Sequence, residues 1–195
     1  VISAIVLAAG LARRFGSAKP LALYGGKPLV RCVVEQFTGF DVVVVIPAPA
    51  ADYDAALAGA STRRVINERP SDGLSSSLRA GIAALDARTR AVLVALADQP
   101  TIDRDVIESI VAEWRNTRAL IVAPVYRGER GHPVLFDATV FPELRELSGD
   151  RGARDVIERD PSRVRLISVD REPPRDVDTP DDLAILNDPT PAPPA

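Results

Sequence analysis

The side chains best suited to chemistry begin in LAAGLARRFGSAK, residues 7–19. Gly10 and Gly16 permit turns that bring backbone N–H groups close to an anion, and Arg13, Arg14 and Lys19 carry the charge to neutralise it. A nucleoside triphosphate is the anion such a loop suits; a solvated basic connector has the same composition. The glycines fit neither G-x-x-x-x-G-K-[ST] nor G-x-G-x-x-G, so a P-loop ATPase or GTPase loses its main support.

Acidic residues supply a possible counterpart. Asp98 follows the apolar run AVLVALA. It could hold Mg²⁺, which commonly takes one or two protein carboxylates and completes its shell with phosphate oxygens and water, or it could cap the turn before Pro100. Asp176 and Asp178 in DVDTPDDL share a face if the segment is extended, and two acids on one face repel unless a cation or solvent lies between them. Asp181 and Asp182 fit the first turn of a helix instead. Ser75, Ser76 and Ser77 follow Gly73 at a helix start, where they can cap N–H groups or bind an uncharged part of a ligand. His132 in RGHPVLF is the sole histidine, a packed residue or a ligand contact.

These positions need a scaffold. Short continuous apolar runs at 2–8, 41–46, 91–97 and 119–125, with a shorter one at 63–66, read as strands buried on both faces. Helical patterns at 28–38, 51–59, 74–86 and 103–116 lie between them. Such alternation predicts an α/β fold with a doubly wound, mostly parallel sheet, which binds ligands beyond the carboxyl ends of its strands. After residue 126 come a glycine-rich turn, helical patterns at 137–147 and 152–159, a strand at 164–169, and a helix with Thr179 as N-cap and Pro180 first inside. The expectation is a single domain over 1–187, with 1–125 as its nucleotide-binding part and 126–187 as an acceptor-side extension. The proline-rich end, 188–195, is expected to be disordered.

Composition narrows the classes. The chain has 195 residues, 46% hydrophobic, and a net charge of −3, which gives no footprint for nucleic acid or an acidic membrane. Its apolar runs are too short to span a bilayer and lack a signal-peptide layout, so a cytoplasmic location is expected. Cys32 has no partner for an internal disulfide and is expected to be a small core residue of the first helix. Trp114 is expected in the core or at its rim.

LAAGLARRFGSAK resembles the L-A-[AG]-G-x-S-x-R-[MF]-G-x-x-K signature of nucleotidyltransferases, in the MobA/MocA-like branch that attaches CMP or GMP to molybdopterin; Ala12 stands at the signature's Ser. GLSSSLRAG at 73–81, LADQP at 96–100, RGHPVLF at 130–136 and DVDTPDDL at 176–183 extend the resemblance in order along nearly the whole chain. It implies a Rossmann-like nucleotidyltransferase fold. It also implies Mg²⁺ on Asp98 and Asp178, with Asp176 in reserve, and a nucleotide along Leu7, Ala8, Ala9, Gly10, Arg13, Gly16, Asn67, Gly73 and Ser75–Ser77. Arg14, Lys19 and Asp98 are the implied catalytic residues, and Arg130, Gly131, His132 and Pro133 the implied acceptor contacts. Ala9 leans the base towards CTP, because guanylyl enzymes of the branch usually have glycine there. Molybdopterin would be the acceptor and a molybdoenzyme the client. An NADPH-dependent oxidoreductase of the same branch and a non-catalytic molybdopterin carrier are the alternatives, and metal-dependent pyrophosphate release separates them.

Overall fold

The computed structural model describes residues 1–10, 15 and 18–188. Strand β1 (Ile2–Leu7) opens the chain, followed by a small hairpin of β2 (Leu23–Tyr24) and β3 (Lys27–Pro28) that leads into α1 (Leu29–Gln36). Then come β4 (Asp41–Pro47), α2 (Ala51–Ala56), β5 (Thr62–Asn67), α3 (Leu74–Ala83), β6 (Ala91–Leu96) and α4 (Arg104–Thr117). The second half adds β7 (Ile121–Tyr126), β8 (Glu129–Arg130), β9 (Val134–Asp137), α5 (Phe141–Arg145), α6 (Arg154–Arg159), β10 (Val164–Val169) and α7 (Pro180–Asn187).

The main sheet runs β10-β7-β9-β6-β1-β4-β5, with β8 on β7. Pairing is parallel for β5-β4-β1-β6 and for β7-β10. Both faces of the central strands are covered, which explains their unbroken apolar sequence. Ala4, Val6, Val44 and Leu93 pack towards Val33 of α1 and Ile107 and Trp114 of α4. The alternate residues Ile5, Val43, Val45 and Val94 pack towards Leu78 and Ile82 of α3 and Leu144 of α5. Gly81 lets α3 lie close: a Cβ there would sit 2.8 Å from Ile5 Cγ2.

The doubly wound, mostly parallel architecture is as expected, with one addition. VLFD forms β9, which inserts antiparallel between β6 and β7, pairing Leu135 with Leu93 and with Val122. The turn expected there therefore carries a strand of its own. Several helices are shorter than their patterns, since residues 37–39, 57–59 and 84–85 fold as turns or bends. Cys32 corrects the expectation of a core residue: it lies on α1 but is only half-buried, with Sγ near the carbonyls of Tyr24 and Lys27 on the hairpin side. Trp114 is buried and donates to Asp137 at 3.0 Å. The helix start at Thr179 is a full capping box with Asp182. Residues 189–195 of the expected disordered tail lie outside the described residues. Among the described residues no helix is long and apolar enough to cross a membrane.

Candidate active site

The carboxyl ends of β1 and β6 lie side by side, tied by the Ala97 N–H donating to the Leu7 carbonyl at 3.0 Å. Asp98 follows at once, and its carbonyl accepts from the Val177 N–H at 2.9 Å, so backbone pairing carries 176–178 to the end of β6. Lys19, at the start of a 3-10 turn whose Pro20 is buried, reaches the same place. Its Nζ donates to Asp98 Oδ2 at 2.6 Å and to Asp178 Oδ1 at 3.1 Å. Burial opposes the charge on Lys19, but the two carboxylates outweigh it and raise the ammonium above its ordinary value.

The acids number more than the cation they surround. Asp176, whose Oδ1 accepts from Gln99 Nε2 at 2.8 Å, is raised above the usual carboxylate range by burial first, then by the charges of Asp98 and Asp178. Asp98 Oδ1 is buried and has no hydrogen-bond partner among the described residues. A buried carboxylate oxygen without a donor suits a hard cation, and Asp178 stands one ammonium away. Among the described residues no three His, Cys, Asp or Glu side chains converge as a complete metal cage. A cation here would need oxygens from elsewhere, as Mg²⁺ on a nucleotide has. The donor set fits such an ion.

Two cavities are lined by residues at or just past the carboxyl ends of β1 and β6. One, of about 290 Å³, is walled by Ala9, Gly10, Pro70, Gly73, Ser77 and Asp150, among others. Of the expected nucleotide contacts it gathers Ala9, Gly10, Gly73 and Ser77. Asn67 and Ser76 sit behind them: Asn67 Nδ2 donates to Ser76 Oγ at 2.8 Å and Ser77 Oγ at 2.9 Å, while its Oδ1 accepts from the Arg69 N–H. Their polar groups fix the wall. Ser75 is fully buried, and Ala8 is buried with its carbonyl accepting from the Tyr53 hydroxyl at 3.3 Å. Arg13, Arg14 and Gly16 lie outside the described residues.

The second cavity, of about 330 Å³, has an aliphatic floor that includes Leu7, Val94, Leu96 and Ala123, and Arg130, His132, Arg151 and Arg154 also line it. Burial lowers the His132 imidazole to about 4, so it is neutral at ordinary pH; Asp98 opposes that shift and Arg154 adds to it. Gly131 lies against the Tyr126 ring, where a Cβ would come within 2.7 Å. The Tyr126 hydroxyl donates to the His132 carbonyl at 3.0 Å, and Pro133 is buried. His132 and Arg130 therefore face the cavity, while Gly131 and Pro133 shape the turn that presents them.

Leu74 and Asp150 line both cavities. Gly73 makes that sharing possible: its φ is +86°, and a Cβ would fall 2.2 Å from Asp150 Oδ1 and 2.7 Å from the Gly149 backbone. The Gly149 carbonyl accepts from the Ser75 N–H at 3.1 Å, and the Leu147 carbonyl from Arg79 at 2.7 Å, which fastens the 147–150 segment to α3. Asp150, Arg151 and Arg154 were missed by sequence reasoning. Their signal was the glycine-flanked run GDRGAR, part of which reads equally as the helical pattern at 152–159.

The family model described as "MobA-like NTP transferase domain" matches residues 4–164. The chain belongs to that family. Membership of this NTP transferase family makes it an enzyme of the nucleotidyltransferase class. Among relatives, the MobA-like chain is 34% identical over 191 residues to the nicotine blue oxidoreductase of Paenarthrobacter nicotinovorans, covering 91% of this chain and 92% of that one. A probable molybdenum cofactor guanylyltransferase of Pyrococcus horikoshii is 28% identical over 180 residues, covering 87% and 88%. The crystal structure of Rv0371C from Mycobacterium tuberculosis H37Rv, a complex with manganese, superposes with a TM-score of 0.80 at 31% identity, covering 95% of this chain and 97% of that one.

Proposed function

We propose that this enzyme transfers CMP from CTP to the terminal phosphate of molybdopterin and releases pyrophosphate, with Mg²⁺ as its ion. It acts in the cytoplasm, and a molybdoenzyme is the client. The observation that carries the reading is the buried Asp98 Oδ1 beside Lys19, which has no hydrogen-bond partner among the described residues. An oxygen of the acceptor phosphate attacks the α-phosphorus; the new P–O bond forms as the bond to the bridging oxygen of the β-phosphate breaks, and pyrophosphate leaves with that electron pair. No covalent enzyme nucleophile is required, because positioning and charge stabilisation dominate this chemistry. Asp98 and Asp178 would hold the metal, which supplies charge neutralisation at the phosphates. Lys19 would exchange its carboxylate partners for the departing phosphates, assisted by Arg14.

Support for CTP comes from Ala9, which lines the nucleotide cavity at the position where guanylyl enzymes of the resembled branch usually have glycine. A pyrimidine is the smaller ring. The guanylyltransferase names among the relatives support GTP as the alternative base. A different chemistry has its own observation: the 34% identity to an oxidoreductase, together with an acceptor cavity that is mostly aliphatic.

One panel tests all of these. The protein is incubated with Mg²⁺, molybdopterin and each of the four nucleoside triphosphates while pyrophosphate is measured, and a parallel arm follows NADPH oxidation. Release with CTP well above GTP is expected. A preference for GTP overturns the cytidylyl reading, NADPH consumption without pyrophosphate release favours the oxidoreductase, and neither activity favours a carrier.

A further inference from the structure

Among the described residues three guanidinium groups line the aliphatic cavity, and they are not equivalent. Arg130 lies 3.7 Å from a Glu158 carboxylate oxygen, and Arg151 pairs with Asp155 at 2.7 Å and with Glu158. Both cations already have carboxylate partners on α6. Arg154 lines the same cavity from the start of α6, yet makes no ion pair or side-chain hydrogen bond among the described residues. An uncompensated guanidinium beside an apolar surface is a receptor for an anion attached to an apolar or flat body.

The floor specifies that body. Leu7, Val94, Leu96, Ala123, Val134 and Phe136 offer no hydrogen bonds from their side chains. Among the groups that face the cavity, His132 is neutral, and Asp150 is shared with the nucleotide side. Such a lining grips a ring by its faces and leaves the charged end to the rim.

We propose that Arg154 binds the anionic group of the acceptor, a flat ring system carrying one phosphate monoester, and that Glu158 holds Arg130 and Arg151 as the frame around it. This rests on the reading of the aliphatic cavity as the acceptor site. It reverses the weight that sequence reasoning gives to Arg130.

The test uses binding alone, so it does not depend on turnover. The full chain is titrated with 1-anilinonaphthalene-8-sulfonate, a flat aromatic anion, and with the uncharged N-phenyl-1-naphthylamine, following probe fluorescence. Arg154→Gln is expected to weaken the anion about tenfold and the neutral probe less than about twofold. Arg130→Gln should cost the anion less than about a third of that loss, and Arg159→Gln, outside the cavity but equal in charge change, should cost nothing measurable. Ala153→Phe at the rim should block both probes, and circular dichroism melts confirm that each variant folds. Equal anion losses in the Arg130 and Arg154 variants, equal losses of both probes in Arg154→Gln, or anion binding that survives Ala153→Phe would each overturn the assignment. Absence of pyrophosphate release from the wild-type protein, with the Arg154 contrast intact, would instead overturn the transfer reading alone.

Discussion

Where Lys19 meets Asp98 and Asp178, the cleft keeps its shape through charge; where Phe136, Val94 and Leu96 floor the neighbouring cavity, it keeps its shape through packing. The first wall has an ammonium with two carboxylates, a third acid beside them, and a buried oxygen with no hydrogen-bond partner among the described residues. On the proposed reading it accepts a metal ion and releases Lys19 to the phosphates. The second wall has little to exchange, because aliphatic surface binds by exclusion of water and is the same before and after a ligand enters. One wall can therefore take part in chemistry and the other can only hold a substrate against it, so substitutions on the two walls should separate turnover from binding.

The largest effect should follow Asp98→Asn, which keeps the shape and removes the charge. Turnover should fall by at least about a thousandfold, roughly 4 kcal/mol of transition-state stabilisation. Stability should change by no more than about 1 kcal/mol, because Lys19 retains Asp178 and the Asp98 carbonyl still accepts from Val177. Pyrophosphate release and a thermal melt report the two quantities. Turnover within tenfold of wild type would show that the charged wall is structural.

Most of the charged wall could be read from the chain, and far less of the apolar one. An acid that closes a buried strand must emerge at a sheet edge, so Asp98 and the first loop could be placed together from periodicity alone. Lys19 stood out in the basic loop and the resemblance preferred Asp178 to Asp176, but their contact was legible in neither, since 159 residues separate them and no local pattern reports it. The aliphatic cavity exists because β9 enters antiparallel between β6 and β7, and a run as short as VLFD looks the same in either direction or in a turn. Arg154 stayed hidden for a related reason. On α6 it reads as an ordinary solvent-facing cation, and only the packing of that helix over the sheet turns it towards the cavity. Cys32 was misplaced because a free cysteine on an apolar helix is usually buried, whereas the β2–β3 hairpin covers that side only in part.

His132 tests how dry the packed wall is. Its imidazole is lowered from 6.5 to about 4, chiefly by burial, so over that interval the unfolded chain binds a proton that the folded chain refuses. Unfolding free energy should therefore drop as pH falls from about 6.5 to about 4, by up to about 3 kcal/mol from this group. The carboxylates titrate in the lower part of the same window, so the informative quantity is the difference between wild type and His132→Gln in urea denaturation at matched pH. That difference should shrink as pH is lowered, because the variant lacks the proton-linked loss. A pH-independent difference would mean that water reaches the imidazole and that the second cavity is wetter than its aliphatic floor implies.

The smallest effect should come from Ala9→Gly, in the cavity proposed for the nucleotide. Ala9, buried just past β1, lines the cavity with Gly73 and Ser77 and carries a single methyl group. Removing it enlarges the cavity without changing a charge or a hydrogen bond, so CTP should lose little. GTP, with the larger ring, should gain. Discrimination by one methyl is worth about 1–3 kcal/mol at most, and the backbone freedom added by glycine should hold the change near the lower end. The expected outcome is a gap in kcat/KM between CTP and GTP that narrows by about fivefold, with KM for the acceptor unmoved because Ala9 does not line the aliphatic cavity. If the gap stays as it was, base choice is made by hydrogen bonds elsewhere on the nucleotide wall; if the acceptor KM moves as well, the two cavities communicate through Leu74 and Asp150, the two residues that line both.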